Sequence, residues 1–224
     1  MSQSDPNKKF ADESSKKLLK RAYSLSTSDD ARKLYRDWAK TYDHHLETGL
    51  KYQGPKKIAT LFAQAMTDRS SPVLDIGCGT GLVADHLAVE SFTNIVGLDF
   101  SPEMLAEADQ KNVYRSLIEA DLEEKLLIAD PSYAGAISCG TFTHGHVGPS
   151  AFREIFRVLA QGAPFACTIH SHLWTSAGFG QALAVLENER VMSRGGYGSC
   201  RQKVRLALTP EISRETQTAP HDHG

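Results

Sequence analysis

The stretch Val73-Leu74-Asp75-Ile76-Gly77-Cys78-Gly79-Thr80-Gly81-Leu82 determines how the rest of the chain is interpreted. Its first residues form a short, mostly apolar run, and apolar residues at helical spacing begin again at Leu82. Three alternating glycines lie between these segments and favour a tight turn, so the stretch predicts a strand, a loop and a helix. Backbone N–H groups that open such a helix attract negative charge, and glycines leave them accessible. We therefore expect a ligand-binding loop that takes an anionic group near its tip.

The glycine spacing and the preceding acid narrow the choice of ligand. A dinucleotide-binding loop spaces its glycines G-x-G-x-x-G and binds a pyrophosphate, whereas Gly77, Gly79 and Gly81 alternate. A carboxylate from Asp75 pointing into a cleft would repel a diphosphate and suit a ligand that carries positive charge beside an anionic group. S-adenosylmethionine is such a ligand. An NAD-dependent oxidoreductase is the alternative that this spacing and Asp75 disfavour.

A second motif follows at Val96 to Leu105, with the sequence VGLDFSPEML. Its Asp99 lies 22 residues after Gly77, close to the roughly 20-residue interval at which nucleoside-binding folds place a carboxylate on the ribose hydroxyls. The two motifs together resemble those of the class I S-adenosylmethionine-dependent methyltransferases. Within that family the chain is most similar to the Williams–Beuren-region methyltransferase-like proteins, through residues 79–84 and a helix that carries tyrosines and a tryptophan.

The resemblance implies S-adenosylmethionine as the cofactor, S-adenosylhomocysteine as its product, and a set of binding residues. Tyr42 matches an amino-terminal tyrosine that reaches over the methionine end of the cofactor in the resembled family. Asp121 would accept the adenine amine, and the backbone amide of Leu122 would contact the adenine ring. The predicted cofactor-binding residues are Tyr42, Asp75, Gly77, Cys78, Gly79, Gly81, Asp99, Phe100, Met104, Asp121, Leu122 and Cys139.

Five apolar segments separated by helical patterns predict the fold. Parallel neighbours need a helical crossover, so we expect an α/β fold with a doubly wound, mostly parallel Rossmann-like sheet and amino-terminal helices. In such sheets ligands bind outside the carboxyl ends of the strands. The resembled family usually finishes with an antiparallel pair, although a final strand is not recognisable here. The strands are expected at residues 73–76, 95–98, 114–120, 134–140 and 165–169, and amino-terminal helices at about 28–46 and 56–66.

The sequence predicts one methyltransferase domain over residues 28–208. A polar, flexible segment is expected at residues 1–27 and a flexible tail at 209–224. Residues 28–66 lie outside the sheet and are expected to form a helical lid over the cofactor, since such appended elements often have low local stability. Permanent packing of the same helix against the core is the alternative.

Composition and charge describe an ordinary protein. The chain has 224 residues, and 25 Lys and Arg against 27 Asp and Glu give a formal net charge of −2, so we expect neither nucleic acid nor a membrane as a partner. Its four cysteines, Cys78, Cys139, Cys167 and Cys200, lack any C-x-x-C pair, which favours reduced thiols and a cytoplasmic location. The amino terminus has no apolar signal core.

The predicted acceptor of the methyl group is a small molecule. Residues 138–142 lack the acidic or amide-Pro-Pro-aromatic signature that enzymes methylating nucleic-acid bases or glutamine carry after the fourth strand. His144 and His170 follow the fourth and fifth strands and are candidate catalytic bases, because histidine titrates near neutrality. Each stands in an H-x-H pair, and loop polarity or packing is the favoured explanation of such pairs; no metal site is expected. A cofactor-binding protein without turnover, acting as a sensor or partner, is the alternative function.

Overall fold

Seven strands and eight α-helices make up the part of the chain described by the computed structural model, which covers residues 6–25, 27–143, 147–194 and 204–210. The strands are β1 (Val73–Ile76), β2 (Ile95–Asp99), β3 (Ser116–Glu119), β4 (Gly135–Phe142), β5 (Ala163–Ile169), β6 (Met192–Arg194) and β7 (Val204–Pro210). The helices are α1 (Pro6–Tyr23), α2 (Ser28–Trp38), α3 (Gly54–Ala65), α4 (Leu82–Val89), α5 (Pro102–Gln110), α6 (Ala151–Val158), α7 (Leu173–Ser176) and α8 (Phe179–Asn188). A 3-10 turn (Ala39–Thr41) and a π-helical turn (His44–Gly49) follow α2.

The strands form one sheet in the order β3-β2-β1-β4-β5-β7-β6. All the described pairings are parallel, so the predicted doubly wound, mostly parallel Rossmann-like sheet is confirmed. The chain order along the sheet reverses between β1 and β4. At such a reversal the connections leave in opposite directions and open a crevice at the carboxyl ends of the strands.

Side chains of β1 alternate between two hydrophobic cores. Leu74 and Ile76 pack on one face of the sheet with the aromatic side chains of α6 and β5. Val73 packs on the other face with α3 and α4, where Phe62 is fully buried. Helices cover both faces of the sheet, so neither face is open to a ligand. The loops after the strands are therefore where a site can form.

The amino-terminal segment, defined as residues 28–49, corrects one sequence prediction. The expected continuous helix from 28 to 46 ends as an α-helix at Trp38 and continues through the 3-10 and π-helical turns. In this arrangement the indole Nε1 of Trp38 donates to Nδ1 of His45 at 2.9 Å. The altered helical pitch coincides with polar contacts of Asp43 to the glycine loop, and periodicity alone cannot reveal such long-range contacts.

The two ends of the described chain contain elements that the sequence did not predict. The segment expected to be flexible before position 28 includes α1, in which Ser15 and Ala22 are buried, and its flexibility stays a prediction. At the other end, β7 extends to Pro210, and it pairs in parallel with β6 rather than forming an antiparallel pair. The sequence missed β6 because a strand of three residues shows no usable periodicity. Within the described ranges, no helix is both long enough and apolar enough to cross a bilayer.

Candidate active site

A cleft opens at the carboxyl ends of β1, β2, β3 and β4, between the sheet and α2. It contains about 750 Å³ of empty space, a volume that includes its open mouth. The cleft lies at the reversal of strand order, as the fold predicts. Its lining residues are Ala31, Tyr35, Tyr42, Gly77, Gly79, Leu98, Asp99, Phe100, Met104, Ala120, Asp121, Leu122, Glu123, Cys139, Gly140, Thr141 and Val147.

The glycine loop forms the floor of the cleft. Gly77, Gly79 and Gly81 all have positive φ angles, of 62°, 55° and 93°. Gly79 has no atom within 4 Å of the position that a Cβ would take. The loop therefore presents open backbone to the cleft at Gly79, next to the start of α4, where a ligand can lie directly against the peptide groups.

Asp99 ends β2 and lines the cleft next to this loop. One carboxylate oxygen accepts from the backbone N–H of Gly79 and the other from that of Ser101, both at 2.9 Å. Burial raises the pKa of Asp99, although these backbone hydrogen bonds oppose the shift. Two acceptor positions of the carboxylate thus remain beyond those used by the backbone, as a pair of ligand hydroxyls would require.

Phe100, Met104, Asp121 and Leu122 line the cleft together with Asp99. Phe100 directly follows β2, and Asp121 lies two residues beyond the end of β3. Apolar side chains from α5 and from the loop after β3 therefore line the same cleft as these carboxylates. This composition suits a flat ring with a hydrogen-bond donor on its edge.

Other residues of the cleft lining are aromatic or uncharged. Tyr42 and Cys139 both line the cleft, and the Tyr42 and Trp38 rings meet edge to face with centroids 4.7 Å apart. The Tyr52 hydroxyl lies 3.5 Å from the Cys139 sulfur. Burial raises the pKa of the Tyr42 hydroxyl well above its usual value, so this phenol is neutral at physiological pH.

A polar network that the sequence did not reveal joins the amino-terminal segment to the glycine loop. The hydroxyl of Thr80 donates to Asp43, and the ammonium of Lys111 lies 2.9 Å from Asp43 and 2.5 Å from Asp85. Asp43 is the neighbour of Tyr42, so these contacts fix the position of Tyr42 over the cleft. Asp43 could have been suspected only as the residue next to a motif tyrosine, since its partners are distant in sequence.

Not every predicted binding residue reaches the cleft. Asp75, Cys78 and Gly81 do not line it, whereas the other predicted cofactor-binding residues do. Asp75 was expected to point into the cleft, but it is fully buried and accepts a hydrogen bond from the Tyr114 hydroxyl at 2.8 Å. Its other oxygen, Oδ1, has no hydrogen-bond partner among the described residues. Burial raises the pKa of Asp75 to about 7, although the hydrogen bond from Tyr114 acts to lower it.

The buried carboxyl of Asp75 should make stability depend on pH. Its folded pKa of about 7 exceeds its usual value of 3.8, so the folded protein holds this proton between those values. The stability that Asp75 contributes is fully present below about pH 4, falls as the pH rises, and is lost above about pH 7. We expect the free energy of unfolding of the wild type to fall relative to Asp75→Asn, by up to about 1.4 kcal/mol per pH unit. Urea denaturation of both proteins across this pH range measures the difference in their free energies of unfolding. A difference that does not change with pH would contradict the prediction.

Sequence reasoning missed or misassigned several residues that line the cleft. Tyr35 packs against the hydrophobic cluster that contains Trp38, and it also lines the cleft together with Ala31, one turn earlier on α2. Their spacing of four residues on one helical face was the available signal. Trp38 is buried and does not line the cleft. The other lining residues that the sequence did not single out are Leu98, Ala120, Glu123, Gly140, Thr141 and Val147.

The structure places neither candidate catalytic histidine at the cleft. His144 lies outside the described residues, as does His146. His170 is buried, with the Tyr23 ring 5.3 Å and the His172 ring 5.5 Å from its own ring, and it does not line the cleft. In the described ranges no cluster of His, Cys, Asp and Glu side chains is suited to hold a metal ion. A catalytic role for His144 or His170 therefore stays a prediction.

Comparisons with known proteins agree with this geometry. Residues 74–167 match the protein family described as a methyltransferase domain. Human methyltransferase-like protein 27 is 33% identical over 132 residues, which are 57% of this chain and 54% of that protein. The 18S rRNA (guanine-N(7))-methyltransferase of Bos taurus is 38% identical over 71 residues, 32% of this chain and 25% of that protein. This chain thus spans about half, or less, of the length of these relatives.

One solved structure shows the likeness of fold. A protein of Methanococcus maripaludis, described as an S-adenosylmethionine-dependent methyltransferase, has a TM-score of 0.51 with this chain at 22% identity. The match covers 69% of this chain and 71% of that one. At this level of identity the match establishes a shared fold.

Proposed function

We propose that this chain, whose residues 74–167 belong to the methyltransferase-domain family, transfers the methyl group of S-adenosylmethionine to a small-molecule acceptor. The family implies this cofactor. The observation that carries the proposal is the cleft at the reversal of strand order, where open glycine backbone and the carboxylate of Asp99 face the same space.

The residues at the cleft fit the cofactor. Asp99 would accept the two ribose hydroxyls, using the acceptor positions that its backbone partners leave free. Asp121 and Leu122 would hold the adenine, and Tyr42 would cover the methionine end. Gly79 leaves the space that a side chain would fill. The bound cofactor supplies an electrophilic methyl group, and the protein's task is to orient the acceptor in line with it and exclude water.

A small acceptor is supported by the uncharged part of the cleft lining. Tyr42, Gly140, Thr141 and Val147 line the cleft and carry no charge at neutral pH. The formal net charge of −2 also gives no general attraction to nucleic acid. A macromolecular acceptor is the second candidate, because one relative is named as an 18S rRNA methyltransferase.

The lid function expected of residues 28–66 also belongs to this proposal, and it falls to the amino-terminal segment, because α3 packs in the core with Phe62 fully buried. Ala31, Tyr35 and Tyr42 lie on this segment and line the cleft. Polar contacts tie it to the rest of the fold, from Arg32 to Asp121 and the Phe100 carbonyl and from Asp43 to Thr80 and Lys111. Closure over the bound cofactor would keep water from the methyl group.

Calorimetry and methyl transfer test the proposed function. We expect titration with S-adenosylhomocysteine to release heat of binding and titration with NAD to release none; the reverse result would assign the cleft to an oxidoreductase.

Protein incubated with methyl-labelled S-adenosylmethionine and separate fractions of metabolites, RNA and protein should then label a small molecule. Label found only on RNA or protein would reject the small-molecule acceptor. Binding without label in any fraction would favour a protein without turnover.

A further inference from the structure

Arg32 on α2 connects two strand ends at the cleft. Its Nη1 donates to the carbonyl oxygen of Phe100 at 3.1 Å, directly after β2, and its Nη2 donates to Asp121 at 3.0 Å, beyond β3. The guanidinium also lies over the Phe100 ring, 4.9 Å from its centroid. One side chain thus connects the loop after β2 with the loop after β3, and both loops line the cleft.

Arg32 completes the fixation of the Asp121 carboxylate. One oxygen, Oδ1, accepts from the backbone N–H of Glu123 at 3.0 Å, and the other, Oδ2, accepts from Arg32. With a donor on each oxygen, the plane of the carboxylate is set. Each oxygen keeps an acceptor position, so Asp121 can still receive a donor from a ligand.

The chemistry of this arrangement needs arginine rather than any cation. A guanidinium is a planar fork whose separate N–H groups can reach two acceptors at once, whereas an ammonium is a point charge on a flexible stem. Arg32 and Asp121 are partly exposed, at 42% and 31% of their side chains, so the ion pair itself contributes little to stability. Its effect is on the geometry of an acceptor that lines the cleft.

Resting on the proposed function, we propose that Arg32 is the positioning residue that makes the cleft selective for the adenine amine. By fixing the plane of the Asp121 carboxylate, whose two oxygens accept from Arg32 and from the backbone of Glu123, it favours a purine with an amino group at this edge. A purine with a carbonyl oxygen at the same place faces the carboxylate with like partial charge and leaves it without a donor. Selectivity between these two edges, rather than affinity in general, is the property that Arg32 controls.

The test compares two ligands on several variants. S-adenosylhomocysteine carries the adenine amine, and S-inosylhomocysteine carries a carbonyl oxygen instead. We expect Arg32→Gln to weaken binding of S-adenosylhomocysteine about tenfold and to change binding of S-inosylhomocysteine less than about twofold. The affinity of Arg32→Lys for S-adenosylhomocysteine should lie between those of the wild type and Arg32→Gln. Lysine keeps the positive charge but cannot hold two separate acceptors in the geometry of a guanidinium. Calorimetry measures both dissociation constants, and urea denaturation confirms that each variant folds.

Arg36→Gln is the matched control. Arg36 is one turn further along α2 and is more than half exposed. Its Nε atom lies 3.5 Å from a carboxylate oxygen of the neighbouring Asp37, which is a long ion pair. This variant should leave both dissociation constants unchanged. Equal weakening of both ligands by Arg32→Gln would mean that Arg32 only docks α2, and would overturn the inference alone. Absence of S-adenosylhomocysteine binding to the wild type would overturn the proposed function and the inference with it.

Discussion

Replacement of Asp99 by alanine should weaken binding of S-adenosylhomocysteine about 10- to 100-fold. A carboxylate that accepts two ribose hydroxyls makes charge-assisted hydrogen bonds, and their loss corresponds to roughly 1.5–3 kcal/mol. The variant also removes the acceptor for the N–H groups of Gly79 and Ser101. Some loss of stability is therefore expected along with the loss of affinity, and the two are separated by measuring binding at a temperature where urea denaturation shows the variant to be folded.

Asp109→Ala is the control for this experiment. Asp109 lies on α5, near the end of the helix, and is exposed outside the cleft. Its removal changes the net charge by the same amount but should leave the affinity for S-adenosylhomocysteine unchanged. A folded Asp99→Ala variant with wild-type affinity would show that the ribose contact lies elsewhere.

The second large effect is expected for Gly77→Ala, and it concerns stability. Gly77 has a φ angle of 62°, where L-residues are strained. Its added methyl group would lie 2.9 Å from Cγ2 of Thr141 and closer still to Oγ1. Thr141 cannot move aside easily, because its hydroxyl donates to the carbonyl oxygen of Ile76 and accepts from Ser138. We expect the free energy of unfolding to fall by about 3 kcal/mol or more, measured by urea denaturation.

Gly79→Ala separates the two parts of this effect. Gly79 has a φ angle of 55°, similar to that of Gly77, but no atom lies within 4 Å of its Cβ position. Its substitution should cost only the backbone term, about 1–2 kcal/mol. Equal destabilisation by the two substitutions would show that the contact with Thr141 is not what restricts Gly77.

Much of the fold could be predicted from the chain because local pattern and global topology agree. The run from Val73 into alternating glycines indicated a strand, a loop and a helix, and β1, the loop and α4 follow that order. The alternation of strands with helices then left a parallel sheet as the consistent topology. The family resemblance that was based on the same residues is confirmed by the match of residues 74–167 to the methyltransferase-domain family.

The site was harder to predict because side-chain contacts join residues far apart in the sequence. Asp75 was expected in the cleft, and its contact with Tyr114, 39 residues away, became visible only in the structure. Arg32 and Asp121 are 89 residues apart, and no local pattern links them. The position of Asp99 was easier, since the end of a parallel strand necessarily lies at the ligand edge of the sheet. The roles assigned to these residues stay predictions until binding is measured.

The polar contacts of Asp43 and Arg32 have a consequence for the rate of cofactor exchange. They hold the amino-terminal segment to the glycine loop, to Lys111 and to the loops after β2 and β3. If a ligand enters and leaves only while these contacts are released, and the released fraction is the same with and without ligand, association and dissociation slow by the same factor and the dissociation constant is unchanged. A released fraction of about 1% would slow exchange about a hundredfold. Because salt screens partly exposed charges, higher ionic strength enlarges that fraction and speeds exchange in both directions.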